Sequence, residues 1–323
     1  MAKKLADWDA RIGRRIRLRD LHVLSSVVKF GSMAKAATQL GLTQPAISQA
    51  IADLEAALGV RLLDRGPRGV SPTAFGEAML LRGTEAFDAL RQGVRDIEFM
   101  SDPGTGEIWV GASESFISGG LLAAVTAELA IRYPKLVVHV IDANTAAMEF
   151  RELHDRKVDL MLGRIGGPIE DDDLAVETLY EEAIVAGAGT NHPLAGRRKL
   201  ALADLVAESW ILAPPSTAVR ELVHTAFTAQ GLPPPSRTVT TYSMQLRMQL
   251  LATGRYLSSV PESLVRYNAK RWSLVALPVV LGRPLPVVLV TLKARTLSPA
   301  VEVFITQMRA LARRMRGRPG AAG

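Results

Sequence analysis

The run Thr43-Gln44-Pro45-Ala46-Ile47-Ser48-Gln49 gathers amide and hydroxyl side chains with very small ones where the spacing predicts the first turns of a helix. Gln44 and Ser48 can donate to and accept from base edges, and Pro45 and Ala46 are compact enough to lie on a thymine methyl or a sugar. A helix whose N-terminal end offers such groups fits the major groove of DNA. Gln49 can hydrogen-bond a phosphate without contributing charge. Arg65 and Arg68 stand in Arg65-Gly-Pro-Arg68-Gly-Val-Ser-Pro72, a short loop of turn formers whose cations suit phosphate or a minor groove. A solvated basic loop is the plainer alternative for these two arginines.

A second chemistry, binding of a small molecule, is written further along. Four polar spots follow apolar strand-like runs: Ser113-Glu114-Ser115, Asn144-Thr145, Ser216-Thr217 and Ser243-Met244. Ligands of open α/β sheets gather at the carboxyl ends of strands, and free amides at helix starts favour an anion. Each Ser or Thr could equally be an N-cap and nothing more; the four together favour a site. Arg164, just past an apolar strand at 158–162, could clamp a carboxylate with two parallel bonds. Arg220 and Arg247 are weaker candidates, since helix surfaces commonly carry arginine. The run Glu170 to Asp173 lacks the ordered spacing of a metal loop and reads as solvated. The five histidines are scattered, and no nucleophile elbow, phosphate-binding glycine loop, dinucleotide fingerprint or H-E-x-x-H occurs. No catalytic residue, metal or cofactor is therefore expected, and a binding role is favoured over an enzymatic one.

The elements that must hold these groups are legible. Ala34, Ala36, Ala37 and Leu40 give a first helix a small apolar face, and Gly41 can stop it in the left-handed conformation. Thr43 caps the next helix, Pro45 is tolerated in its first turn, and Ile47, Ile51, Leu54 and Leu58 recur at helical spacing. The result is a helix-turn-helix followed by a wing. Thr73 then caps a long helix to about Ser101. Within it Leu80, Gly83, Phe87, Leu90, Val94 and Ile97 alternate at three and four residues, the seam of a coiled coil, so Leu80, Phe87, Leu90, Val94 and Ile97 are expected to pair two protomers. An amphipathic helix lying on its own domain is the alternative. Asp102-Pro-Gly-Thr-Gly ends it. Beyond, strands and helices alternate (strands 107–112, 136–141 and 158–162, helices 121–132 and 146–155, then a similar unit with a last strand 287–292 and a helix 299–315), predicting a mainly parallel sheet arrangement in two α/β lobes.

The chain has 323 residues, a formal net charge of +7 and no cysteine. That excludes disulfides and thiolate chemistry and favours an anionic partner. No apolar run approaches the roughly 18 residues needed to span a bilayer, and there is no signal-like N-terminus, so a cytoplasmic protein without a membrane partner is expected.

Residues 18–76 resemble the N-terminal domain of the LysR-type transcriptional regulators. The likeness rests on Ser32, Ala36-Ala37, Leu40, Thr43 through Ser48, Leu54-Glu55, Leu58-Gly59, Leu62-Leu63, Arg65, Thr73 and Gly76. Gln49 stands where the family often has a basic residue, and the basic extension 1–17 is longer than usual. The resemblance runs along nearly the whole chain. It implies a winged helix-turn-helix (1–76), a linker helix for dimerisation (77–102), and a periplasmic-binding-protein-like effector domain. One lobe of that domain would comprise 105–181 with 283–316, the other 182–282, with a tail at 317–323. It further implies binding of double-stranded promoter DNA as a homodimer or homotetramer, contact with RNA polymerase, and control by a small-molecule effector. DNA contacts would come from Ser32, Thr43, Gln44, Pro45, Ala46, Ser48, Gln49, Arg65, Arg68 and Thr73. Effector contacts would come from Ser113, Ser115, Asn144, Thr145, Arg164, Ser216, Thr217 and Ser243. Asn191-His-Pro-Leu-Ala195, Trp210 to Pro214, Leu250 to Gly254 and Leu292 to Pro299 are similar to the branch that governs sugar-binding-protein genes and protocatechuate catabolism, implying an acidic or sugar-derived catabolite. A non-specific basic DNA-binding protein, or a two-lobed binding protein without regulation, are the competing readings.

Overall fold

The computed structural model describes residues 15–67, 69–143, 149–215 and 217–316. The chain forms two compact units, Met1–Arg91 and Gln92–Gly323. In the first, α1 (Leu18–Phe30), α2 (Met33–Leu40) and α3 (Gln44–Leu58) are followed by a hairpin of β1 (Leu63–Gly66) and β2 (Gly69–Pro72). Then α4 (Ala74–Ser101), 28 residues long, leads from the first unit into the second. The expected turn chemistry is present. Gly41 closes α2 at φ 64°, and Thr43 accepts the Ala46 N–H to start α3. Leu24, Val27, Ile47, Ile51 and Leu54 form the core of the three helices. The hairpin is pinned twice. Glu55 accepts the N–H groups of Leu62 and Leu63 at 2.7 and 3.2 Å, and the Val70 N–H donates to the Gly31 carbonyl at 3.0 Å.

The second unit runs in chain order through β3 (Gly106–Ala112), α5 (Glu114–Ile117), α6 (Leu121–Arg132), β4 (Leu136–Asp142), α7 (Arg151–His154), β5 (Leu160–Arg164) and β6 (Leu174–Glu182). It continues with β7 (Ile184–Gly189), β8 (Ser209–Leu212), α8 (Ala218–Thr228), β9 (Thr238–Thr240), α9 (Met244–Ala252), β10 (Tyr256–Pro261), α10 (Glu262–Asn268), β11 (Leu274–Val280), β12 (Leu285–Leu292) and α11 (Pro299–Arg316). Two five-stranded sheets result, ordered β4-β3-β5-β12-β6 and β9-β8-β10-β7-β11. The chain passes from the first lobe to the second after β6 and returns after β11.

The expectation of mainly parallel sheets is corrected. In each lobe three neighbouring strands are parallel, while the remaining two pairings are antiparallel: β5-β12 and β12-β6 in one, β10-β7 and β7-β11 in the other. The antiparallel strands are those that carry the chain between lobes, so they enter without a helical crossover. The strand expected at 158–162 lies at Leu160–Arg164, and the expected helix 146–155 is Arg151–His154 among the described residues. The edge strand β6 was not foreseen, because Glu177, Glu181 and Glu182 interrupt its apolar alternation.

The Asn191-His-Pro-Leu turn is structural. Asn191 donates to the Ala252 carbonyl at 3.0 Å, and buried His192 accepts the Leu194 N–H on Nδ1 at 3.2 Å. Burial lowers the His192 pKa below its ordinary 6.5, against a smaller opposing pull from Glu208. The unfolded chain therefore takes up this proton first. Stability from this group is complete above about pH 6.5 and falls as pH drops through the unfolded value. Thermal midpoints measured from pH 7.5 to 5.5 should decline more steeply for the wild type than for His192→Asn, whose amide oxygen can accept the same N–H; equal slopes would remove His192 as the cause.

Candidate DNA-reading face and inter-lobe cleft

In the first unit, Gln44, Pro45 and Ala46 are exposed together in the first turn of α3. They lie there because Ile47, Ile51 and Leu54 turn the opposite face into the core, leaving the N-terminal turn to solvent. Gln49 is also exposed, and its amide donates to Asp53 at 2.7 Å on the same helix. Ser48 is half-buried, with its hydroxyl 3.3 Å from the Met33 sulfur. Arg65 is exposed on β1, and Arg68 lies outside the described residues. Three of the expected contact residues have a capping role. Ser32 and Thr43 start α2 and α3. Thr73 starts α4 by accepting the Gly76 N–H at 3.1 Å while donating to Arg61 at 2.8 Å.

The expected pairing seam is only partly free. Leu80 packs on the core of the first unit, and Phe87 sits edge-on to His22 with 5.9 Å between centroids. Leu90, Val94 and Ile97 are 52, 56 and 61% exposed.

In the second unit, a cavity of about 300 Å³ opens between the two lobes. Ser113, Ser115 and Arg164 line it from the first lobe and Thr217 from the second, so four of the expected residues converge. Ser113 and Ser115 hydroxyls lie 3.4 Å apart. Thr217 is nearly fully engaged in capping α8, accepting from Arg220 N at 3.2 Å and donating to Pro214 at 2.9 Å. Ser243 caps α9 through Leu246 N and does not line the cavity. Asn144, Thr145 and Ser216 lie outside the described residues.

Arg164 departs from expectation. Its Nε and Nη2 both bind Glu182 Oε2, at 2.8 and 2.5 Å, so the two-pronged clamp is occupied by the protein's own carboxylate. Glu182 also accepts the Ser263 N–H at 2.9 Å, tying α10 to the same pair. Only Arg164 Nη1 lacks a partner among the described residues.

Arg247, rated weaker by sequence, is the more available cation. It is 5% exposed and lines the cavity. Its Nη1 and Nη2 donate to the carbonyls of Ser259 and Thr241 at 3.1 and 3.2 Å, while Nε is unpartnered. Burial pushes its pKa down to about 10, with the charge of Glu114 acting the other way, so it stays protonated near neutrality. The buried Ser259 hydroxyl beside it also has no partner. Neither residue announced itself: α9 is only nine residues long and Arg247 stands on its inward face, while Ser259 sits inside an apolar strand. A larger cavity of about 850 Å³ runs along α8 between apolar residues such as Leu222, Ala226 and Leu285. Among the described residues no acidic or histidine cluster could hold a metal, and no helix is long and apolar enough to cross a membrane.

Comparison with known proteins agrees with both halves. Residues 18–77 match the family described as bacterial regulatory helix-turn-helix protein, lysR family, and residues 101–313 match the LysR substrate binding domain. The chain is 28% identical over 297 residues, 92% of its length and 96% of the relative's, to the uncharacterized HTH-type transcriptional regulator YdcI of Escherichia coli strain K12. It is 25% identical over 307 residues to the HTH-type transcriptional regulator GbpR of Azospirillum brasilense, covering 94% of this chain and 89% of the relative. Full-length CbnR complexed with its target DNA shares the fold at a TM-score of 0.63 and 21% identity, over 92% of this chain and all of that one. ArgP from Mycobacterium tuberculosis does so at 0.66 and 19%, over 91 and 96%. With a winged helix-turn-helix ahead of a two-lobed α/β domain, and with family matches to both, this chain belongs to the LysR family of DNA-binding transcriptional regulators.

Proposed function

We propose that this regulator reads promoter DNA with the first turn of α3, as a homodimer or homotetramer, and responds to a small molecule held between its lobes. The observation that carries the DNA half is the joint exposure of Gln44, Pro45 and Ala46 on α3, together with the exposed cation Arg65 on the wing strand β1. Gln44 and Ser48 take base edges, Pro45 and Ala46 a thymine methyl or sugar, and Gln49, Arg65 and Arg68 the phosphates. Ser32, Thr43 and Thr73 contribute mainly by fixing the helices that present these groups. Leu90, Val94 and Ile97 supply the free part of the pairing stripe on α4, which would set two recognition helices on successive half-sites. The effector site is the cleft of Ser113, Ser115, Arg164 and Thr217, to which the family resemblance adds Asn144, Thr145, Ser216 and Ser243. Its unpartnered donors support an effector with an acidic group over a neutral sugar derivative. Effector binding alters lobe closure, and thereby DNA geometry and recruitment of RNA polymerase. The likeness of the second half to the branch governing sugar-binding-protein genes and protocatechuate catabolism is part of this reading; among the relatives, the 25% identity to GbpR weakly supports the sugar-binding-protein part alone. We place the domain limits at 1–76, 77–102, 105–181 with 283–316, and 182–282.

Selection of genomic fragments by the purified protein at about 150 mM salt, near physiological ionic strength, tests the DNA half. A few sharp sites with an interrupted dyad are expected; diffuse recovery that fades with salt would make the binding merely electrostatic. On a selected site, Gln44→Ala should weaken binding by about 10- to 100-fold, the cost of one base-edge contact, without changing the salt dependence. Arg65→Ala should reduce the slope of log affinity against log salt by about one. A Gln44→Ala protein that still discriminates its site as the wild type does would show that the base contacts lie elsewhere.

A further inference from the structure

We propose that the molecule held in the inter-lobe cleft is a zwitterion of the amino-acid kind, carrying an ammonium group as well as a carboxylate. This rests on the reading of the cleft as the effector site and narrows what enters it. The two walls of the cavity have opposite electrical character.

The second-lobe wall is electropositive. Arg247 brings a buried cation whose Nε has no partner, and the unpartnered Ser259 hydroxyl lies on the same strand that takes one of its other bonds. The 11-residue helix α8 presents its first residues, Ala218 and Val219, to the same cavity. The Thr217 cap satisfies only the Arg220 N–H, which leaves those two first-turn amides unclaimed by the cap. Arg247, Ser259 and the first residues of α8 all line this space, and Arg247 Nε, the Ser259 hydroxyl and the two α8 amides have no acceptor among the described residues.

The first-lobe wall is acidic. Among the described residues Arg164 is its one cation in the cavity, and Glu182 neutralises it at 2.8 Å and closer. That leaves Glu114, half-buried at the start of α5, and Asp142, exposed at the end of β4. The Glu114 carboxylate has no hydrogen-bond or ion-pair partner among the described residues, and its charge favours the protonated form of Arg247 across the cleft. A simple carboxylate would satisfy Arg247 and the α8 amides but would bring a third negative charge up to Glu114 and Asp142. A simple amine would leave Arg247 Nε and Ser259 unpaired. A molecule with a carboxylate at one end and an ammonium at the other satisfies both walls and bridges the lobes, so its binding energy is also the energy of closure. A cavity of about 300 Å³ suits one small molecule of this type.

The test is calorimetric titration of the full-length protein with each of the twenty common L-amino acids. For any that binds, the titration is repeated with the matched acid lacking the amine and the matched amine lacking the acid. The same probes are applied to Glu114→Gln, which keeps the side-chain shape, and to Ser113→Trp, which fills the cleft. Thermal midpoints of both variants establish that they are folded. The expected result is binding of at least one amino acid, weakened tenfold or more by loss of either charged group. Glu114→Gln should weaken the amino acid by tenfold or more while leaving the matched acid unchanged or tighter, and Ser113→Trp should abolish all binding. Absence of amino-acid binding overturns the proposal. If simple acids or sugars bind instead and Ser113→Trp removes them, the cleft remains the effector site and only the zwitterion is lost. Amino-acid binding that survives Ser113→Trp would overturn both.

Discussion

Asp159→Asn should lower the stability of the second unit by about 3 to 5 kcal/mol, the loss typical when one member of a buried ionic group is removed. Asp159 is 1% exposed and stands just before β5. Its Oδ1 receives Arg95 Nη1 at 3.1 Å and Arg295 Nη2 at 2.9 Å, and its Oδ2 receives the Trp109 N–H at 2.8 Å. Three separate stretches of chain are thus joined on one carboxylate: the end of α4, the strand β3 and the turn before α11. Arg295 is itself buried and donates to the Val158 carbonyl at 2.6 Å, so it cannot swing out to water without breaking that bond too. An amide in place of the carboxylate keeps one acceptor but sets an N–H₂ against a donor and removes the negative charge that Arg95 and Arg295 share at this point. Denaturant unfolding of the full-length variant checks the value, and a loss under about 1 kcal/mol would mean that the group is solvent-relaxed. Replacing Asp159 and Arg295 together by apolar residues of similar volume should recover part of the loss, because the expense lies in the stranded charge more than in the missing pair.

The second large effect is expected at Gly76. A Cβ built there would stand 2.0 Å from the Leu62 carbonyl oxygen and 3.1 Å from its carbon, both backbone. The first turn of α4 packs directly on the residue that leads into β1, and neither side can move: Leu62 is held by Glu55, and Thr73 fixes the start of α4 to Arg61. Gly76→Ala should destabilise the first unit by about 3 kcal/mol or more, at the upper end of overpacking effects. Specific DNA affinity should fall by more than about 100-fold as the wing and α3 lose register, since each 1.4 kcal/mol is a factor of ten. Effector-domain unfolding, followed through Trp109, Trp210 and Trp272, should be unchanged. Specific DNA affinity within threefold of the wild type would show that the clash is absorbed.

Why some of this was legible and some not follows from range. The helix-turn-helix could be read because its signals are local: a glycine at C′, a capping Thr one residue from Gln44, and a small-residue face all fall within 30 residues. The lobes could be outlined because apolar strands such as Val110 and Leu162 alternate with helices. The state of Arg164 could not be read. It pairs with Glu182 because β5 and β6 both lie against β12, with Arg164 opposite Val287 and Val287 opposite Tyr180. Nothing near Arg164 in sequence announces that arrangement, and charges in β6 disguised it as loop. Arg247 was undervalued for a related reason. An arginine on a nine-residue helix reads as surface until the fold shows that Met244, Met248 and Leu251 share its buried side. The pairing stripe of α4 was legible as a pattern, but sequence could not tell which of its residues the protein covers for itself.

The position of β12 has a consequence for how the molecule is made. All five strands of the second lobe come from one uninterrupted stretch, Ile184 to Val280, whereas the first lobe receives β12 between β5 and β6 only after that stretch has been traversed. During synthesis the second lobe can therefore complete its sheet while the first still has an open slot, with buried Leu162 and Leu179 waiting for Val287 and Leu289. The lobe met first by the ribosome is finished last, and closing it carries the entropy of a loop as long as its neighbour. Nascent chains stalled before Leu285 would expose the β5 edge, which makes the last segment of this regulator the one that converts an aggregation-prone intermediate into a closed sheet.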